Sequence, residues 1–306
     1  MEQKKIILIA GPTASGKSKL ALLLAKHFNG EIINADSMQV YKEISILTSK
    51  PNEKDIKKIK HHLYGFKSVK NFFSTGDWLN ISLKKIKEQF KNKKIPVIVG
   101  GTGLYFKALT DGLVKIPEIP KDLRIDIRNY HKKIGQKLFF KKLINLDPLS
   151  KKFVSTMDPQ RSIRAYEVFR FTKKSFFSYK SDTKLNFENK IFKKIFINFP
   201  RDLLINKIEQ RVDKMFNNGV LEEVENFLKM KIDKDLSVNK IIGIREIRDY
   251  LNGKTNLIQT KQLIVQKTRQ YAKRQFTWAR GHMRSWEMVY SPNMNELFKK
   301  TINKIS

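Results

Sequence analysis

Apolar residues follow two different periods along the first hundred positions. Lys5 to Ala10 holds a short unbroken apolar run that ends in a Gly, Pro and Ser turn, the pattern of a buried strand. Lys17 to Asn29 then places Leu20, Leu23, Leu24 and Phe28 at helical spacing, with Gly30 as the expected stop. Residues 31–35 predict a second strand. Residues 75–90 predict a helix with Leu79, Leu83, Ile86 and Phe90 on one face, and residues 95–100 a third buried strand. Alternating strand and helix argue for a parallel sheet covered by helices. From Pro117 to Asn189 strand signals vanish. Leu123, Ile127, Tyr130, Ile134 and Leu138 mark one helix there, and Asp158 and Pro159 form an N-cap and N1 pair for another. Residues 191–199 return to a strand pattern, and the remainder reads as helix broken near Gly219, Gly243 and Gly253.

Composition bounds the class. A chain of 306 residues with 41% hydrophobic residues, 21 Phe, 9 Tyr and 3 Trp can fill a core and is no disordered basic tail. Cysteine is absent, which excludes disulfides, thiolate metal sites, iron–sulfur clusters and a Cys nucleophile. The apolar stretch Ile6 to Ala10 is too short for a signal-peptide core, and no apolar run of membrane-spanning length follows, so the cytoplasm is the expected compartment.

The net charge of +33 suggests a polyanionic partner. It is spread almost evenly, however: +12, +10 and +11 over residues 1–110, 111–190 and 191–306. Of the basic residues 49 are Lys, which equally reads as a compositional bias. The 13 Arg residues say more, since none precedes Arg124 and several then cluster. On a helical wheel Arg269, Lys273, Arg280 and Arg284 share one face, while Tyr271, Gln275, Trp278 and Ala279 face away. That is either a nucleic-acid face or a solvated stripe.

Chemistry enters at GPTASGKS, Gly11 to Ser18, which fits GxxxxGKS between a strand and a helix. Glycines let consecutive backbone N–H groups turn toward a phosphate chain, the helix N-terminus adds partial positive charge, Lys17 reaches the outer phosphate, and Ser18 can ligate Mg²⁺. The loop recognises a diphosphate and does not name the group attached to it. The expected fold is therefore α/β, a P-loop NTPase-like parallel sheet flanked by helices. Residues 1–116 and 191–306 would form the core, and residues 117–190 a mainly helical insertion.

A Walker-type NTPase also wants an apolar strand ending in Asp. Here the third strand runs into Gly100, Gly101 and Thr102, and the acid is Asp36, after the second strand. At the carboxyl end of a strand Asp36 belongs beside the cradle, where it either takes a proton or, with Ser37, caps a turn.

GPTASGKS, DSMQVY (36–41), TSKP (48–51), HHL (61–63), PVIVGGTGLY (96–105), DPQRSIRA (158–165), EQRVDKM (209–215) and TRQYAKRQ (268–275) together resemble the bacterial tRNA dimethylallyltransferases, also called tRNA isopentenyltransferases. The motifs keep family order over about residues 5–285. The resemblance implies transfer of a dimethylallyl group from dimethylallyl diphosphate to N6 of adenosine 37, in tRNAs reading codons that begin with U, with diphosphate released. It implies Mg²⁺ as cofactor, the tRNA anticodon stem-loop as partner, and a monomer that acts away from membranes. By similarity Asp36 would accept the N6 proton, with Lys17 and Thr13 completing the catalytic set. Gly11, Pro12, Thr13, Ala14, Ser15, Gly16, Lys17 and Ser18 would hold the diphosphate, joined by Arg211, which otherwise reads as a surface arginine paired with Glu209 or an exposed Asp. Asp36, Ser37, Met38, Gln39, Thr102, Arg124, Gln160, Arg161, Ser162, Ile163 and Arg164 correspond to tRNA-contacting positions. Gln39 suits an adenine edge, and Arg161 and Arg164 suit phosphates or a stacked base.

The sequence departs from the family pattern at Ile244 and Arg245 after Gly243, where an aromatic and Lys are common, and at Ala279 before Arg280. A P-loop small-molecule kinase, an adenylate isopentenyltransferase acting on free nucleotide, and an RNA-binding protein with a vestigial loop are the competing readings. The missing Asp-ended strand weighs against the first, QRSIR and the basic C-terminal face against the second, and Lys17, Ser18 and Asp36 against the third.

Overall fold

The computed structural model describes residues 4–305. Its single sheet contains β1 (Ile6–Ala10), β2 (Gly30–Asn34), β3 (His61–His62), β4 (Ile95–Gly100), β5 (Phe192–Ile197) and β6 (Glu287–Val289). Their order is β3-β2-β4-β1-β5-β6, and every neighbouring pair is parallel. The helices are α1 (Lys17–His27), α2 (Glu53–Lys58), α3 (Thr75–Lys91), α4 (Gly103–Asp111), α5 (Lys121–Leu146), α6 (Pro159–Thr172), α7 (Arg201–Asn217), α8 (Val220–Lys229), α9 (Ile244–Leu251), α10 (Leu257–His282) and α11 (Met294–Ile305). This is the parallel, helix-flanked α/β fold that the alternating pattern predicts. No helix among the described residues is long and apolar enough to cross a membrane.

The sheet sets the site. All five residues of β1 are buried, because the strand has neighbours on both edges and helices on both faces, hence its unbroken apolar run. Ile7, Ile9, Leu20, Leu24, Ile32, Val97, Ile195 and Leu204 share one core cluster. Register places Ala10 opposite both Gly100 and Phe196, and Asn34 opposite Val99. The turns that begin at Gly11, Ala35 and Gly101 therefore leave the same edge of the sheet side by side. Close approach demands glycine at one of them: a Cβ on Gly100 would lie 2.0 Å from the Ala35 carbonyl oxygen.

Three local details differ from expectation. Asn29, with φ 50°, takes the left-handed position after α1, while Gly30 opens β2, where a Cβ would meet the Ile95 carbonyl oxygen at 2.4 Å. Asn tolerates that conformation, and the crowded strand does not tolerate a side chain. The helix expected through Leu138 is broken at Gly135 (φ 76°, ψ 163°). Finally α10 ends at His282, so Arg284 lies beyond the helix whose basic face it was expected to extend.

Two compact units result. One comprises the chain up to Thr110 and from Phe187 onward, and contains the whole sheet; the other is Asp111–Asn186. In the second unit α5 and α6 pack around Leu143, Val154 and Ala165. Asp158 caps α6 by accepting from Arg161 N at 3.0 Å, with Pro159 at N1.

Candidate active site

The loop from Gly11 to Gly16 turns back on itself through Ala14 (φ 64°) and Gly16 (φ 85°), and Gly16 is the N-cap of α1. With no side chain capping that helix, the N–H groups of its first turn stay available to an anion. Lys17 Nζ donates to Pro12 O at 3.1 Å. Burial lowers the Lys17 pKa to about 8, with Asp36 opposing that shift and Arg211 adding to it. Ser18 is exposed at the mouth of the loop, whereas Gly11, Pro12 and Ser15 are buried, and the Ser15 hydroxyl has no partner.

Arg211 comes from α7. Its Nη1 donates to Thr13 Oγ1 at 2.7 Å and its Nη2 lies 3.4 Å from Thr48 O, so its partners belong to the cradle and not to Glu209. Its Nε is buried without a partner. A desolvated cation with an unused donor, lowered in pKa chiefly by burial, is a site prepared for an anion. Thr13, Lys17, Ser18, Asp36, Gln39 and Arg211 line a common cavity of about 160 Å³.

Asp36 is held from three directions. Its backbone N–H donates to Asn34 Oδ1 at 2.8 Å, and Asn34 Nδ2 donates to the carbonyls of Asp36 and Leu63, both at 3.0 Å. The carboxylate divides its work: Oδ1 accepts from Met38 N at 3.0 Å, closing the turn. Oδ2 lies on the Gly101 side, 3.7 Å from where a Cβ on Gly101 would stand. The capping and proton-accepting possibilities are thus compatible, one oxygen for each. Next to it Ser37 N donates to Thr102 Oγ1 at 2.9 Å, and Thr102 N to Ala35 O at 3.1 Å, so the two turns are laced together. Gln39 is less available than its sequence context implies, because its Nε2 donates to Thr48 O and Ser49 O. A bidentate contact with adenine requires those two bonds to be exchanged.

Gln275 lies on α10, on the face turned away from the basic stripe. It accepts from Thr13 N at 2.8 Å through Oε1 and donates to Gly101 O at 3.0 Å through Nε2, tying the cradle to the turn after β4. The motif TRQYAKRQ contains it, but the motif does not say what it meets. Ser37, Met38, Thr102, Tyr271, Arg274 and Trp278 belong to a second cavity of about 310 Å³, mainly apolar in its lining. Another residue beyond the motifs is Glu223 on α8, which accepts from the N–H groups of Ser45, Ile46 and Leu47 at 2.5, 2.7 and 2.9 Å. It fixes the turn that delivers Thr48 to Arg211.

The expected RNA-contacting residues of the insertion lie within the second unit. Gln160 and Arg161 are exposed, Arg124, Ile163 and Arg164 are half-buried, and Ser162 is fully buried, its hydroxyl donating to Asp158 O. The Ser162 side chain is therefore enclosed, and supports the helix rather than its surface. As to metals, no three His, Asp or Glu side chains cluster among the described residues. The oxygen donors here, the Ser18 hydroxyl with Asp36 across the cavity, suit a hard cation carried mainly by phosphate oxygens and water.

Comparison with known proteins gives the family. The family model described as IPP transferase matches residues 39–282. A tRNA dimethylallyltransferase of Pelagibacter ubique is 53% identical over 299 residues, which is 98% of this chain and 96% of that protein. The tRNA isopentenylpyrophosphate transferase of Bacillus halodurans aligns with a TM-score of 0.69 at 29% identity, covering 99% of this chain and 97% of its own. A eukaryotic dimethylallyltransferase acting on tRNA aligns with a TM-score of 0.77 at 28% identity, covering 90% and 70%.

Proposed function

The chain belongs to the IPP transferase family, and from that premise we propose that it transfers the dimethylallyl group of dimethylallyl diphosphate to N6 of adenosine 37 in tRNAs reading codons that begin with U. The observation that carries this reading is the shared cavity of Lys17, Arg211 and Asp36, two cations for a diphosphate beside one carboxylate for a proton.

The chemistry follows from what is nearby. The N6 lone pair attacks C1 of the dimethylallyl group, and the bond from C1 to the diphosphate oxygen breaks with its electron pair leaving on diphosphate. The N6 proton passes to Asp36. An exocyclic adenine amine is a weak nucleophile, so a fixed carboxylate supplies orientation as well as proton acceptance. Lys17, Arg211 and the N–H groups at the start of α1 meet the charge that grows on the leaving group. Thr13, whose hydroxyl already accepts from Arg211, keeps its own hydrogen for a phosphate oxygen. Ser18 would help hold Mg²⁺ beside the diphosphate, where the cation would supply further stabilisation of the leaving-group charge. The apolar cavity beside Met38, Thr102 and Trp278 suits a flat base and a branched hydrocarbon.

The target base must leave its loop stack to reach such an interior, which costs less in a hairpin loop than in a duplex. Gln160, Arg161, Ile163, Arg164 and Arg124 are the surface positions we assign to the anticodon stem-loop, the protein acting as a monomer in the cytoplasm. The test is incubation with labelled dimethylallyl diphosphate, Mg²⁺ and unmodified tRNA. Label is expected in tRNA with adenosine at position 37. No label, or equal label after that base is changed, would overturn the reading.

A further inference from the structure

Glu167 on α6 is a carboxylate with a side chain only 3% exposed, within the unit Asp111–Asn186. Three guanidinium groups converge on it. Arg124 Nε stands 3.8 Å from Oε2, Arg128 Nε 3.7 Å from Oε1, and Arg164 Nη1 3.4 Å from Oε2. Arg124 and Arg128 sit one turn apart on α5, while Arg164 and Glu167 sit one turn apart on α6, so the carboxylate is where two helices bring their arginines together.

Removing a carboxylate from water is costly, and one arginine balances its single charge. Arg128 and Arg164 alone bring more positive charge than the one carboxylate offsets. Their side chains are 39% and 42% exposed, so the surplus faces solvent. Direct charge-assisted bonds run to about 2.7–2.9 Å. The longer separations here leave donors of Arg128 and Arg164 for another acceptor, in the planar forks that match phosphate oxygens. Without the carboxylate the same three cations would repel one another and spread.

We propose that Glu167 is a positioning residue that gathers Arg124, Arg128 and Arg164 into one grip on the tRNA backbone, and that Arg128 is itself a phosphate contact. This rests on tRNA being the substrate and adds to it how the RNA surface is ordered from beneath.

Glu167→Gln tests it, because the variant keeps the side-chain shape while exchanging one acceptor oxygen for an NH₂ donor and adding one net positive charge to the patch. Were charge count alone decisive, tRNA would bind more tightly. If Glu167 sets geometry, tRNA binding weakens about tenfold, the change falls on KM for tRNA more than on kcat, and the slope of log Kd against log salt becomes shallower by about one to two. Glu167→Asp restores part of the loss. Arg128→Ala, at a half-exposed side chain where folding is not at stake, reduces the slope by about one. Unchanged or tighter tRNA binding by Glu167→Gln, or an unchanged slope for Arg128→Ala, overturns the proposal. A lowered thermal midpoint with tRNA affinity intact also overturns it, since that is the signature of a strut alone. Absence of transfer by the unaltered protein would instead strike at the functional reading itself.

Discussion

Replacing Arg211 by Met separates the two things a buried guanidinium does. In the free protein its 2.7 Å bond to Thr13 Oγ1 is charge-assisted and contributes about 1.5–3 kcal/mol. Its buried Nε has no partner, and an unsatisfied donor of that kind costs about 1–3 kcal/mol. The two nearly cancel, so Arg211→Met is expected to change folding stability by no more than ~1 kcal/mol in either direction. Diphosphate binding has no such compensation. Truncating one side of an enclosed, hydrogen-bonded charge pair costs at least about 2 kcal/mol, or roughly 30-fold in Kd. A secondary effect follows, because Arg211 is one of the causes that lower the Lys17 pKa to about 8; without it that pKa moves up. Urea unfolding measures the first quantity and calorimetric titration with inorganic diphosphate the second. A variant about 3 kcal/mol less stable that binds diphosphate as well as the parent would refute the reasoning and make Arg211 a brace between α7 and the cradle.

The pH dependence of that titration should report Lys17: with its pKa brought down to about 8 by burial, the ammonium is lost as pH rises through that value, and diphosphate affinity falls with it. Between pH 8 and the ordinary lysine value the unfolded chain binds more protons than the folded one, so the free protein gains stability from this group as pH rises; Lys17→Met should abolish both trends. Asp36→Asn should slow single-turnover transfer by about 10²- to 10⁴-fold while tRNA affinity stays within a fewfold, and an unaltered single-turnover rate would remove the proton-accepting role. Gln275→Leu leaves Thr13 N and Gly101 O without their partner, at about 1–3 kcal/mol for each where water does not enter, so thermal midpoint and diphosphate affinity should drop together. If neither moved, the tie between cradle and turn would have no energetic weight.

What the sequence made legible is what neighbouring residues encode. Eight consecutive residues form the cradle between strand and helix, and the Asn34 to Met38 turn is closed by its own side chains, so both could be placed from local pattern. Asn29 and Gly30 both suit a left-handed position, and only the Ile95 carbonyl in the paired strand shows why the glycine is needed one residue later. Periodicity put Gln275 on the inward face of its helix correctly, yet an inward face can be packing or a hydrogen-bonded bridge, and the pattern does not distinguish them. Glu223 and Glu167 illustrate the same gap. Each is an acid in an ordinary amphipathic stretch, and its meaning lies in three N–H groups 176 to 178 positions away or in arginines of another helix.

The bond from Thr13 to Gln275 spans 262 positions of sequence. At about 5–20 residues per second of synthesis, the loop that looks complete after its eight residues waits roughly 13–50 s for the glutamine that closes it. β5, the other flank of β1, begins only at Phe192 and so also arrives long after the loop. A ribosome that stops early therefore releases a chain whose phosphate loop is fully written but not yet tied, and which lacks one whole side of its central strand. Competence to bind is conferred late, by α10, on a motif made 262 positions earlier.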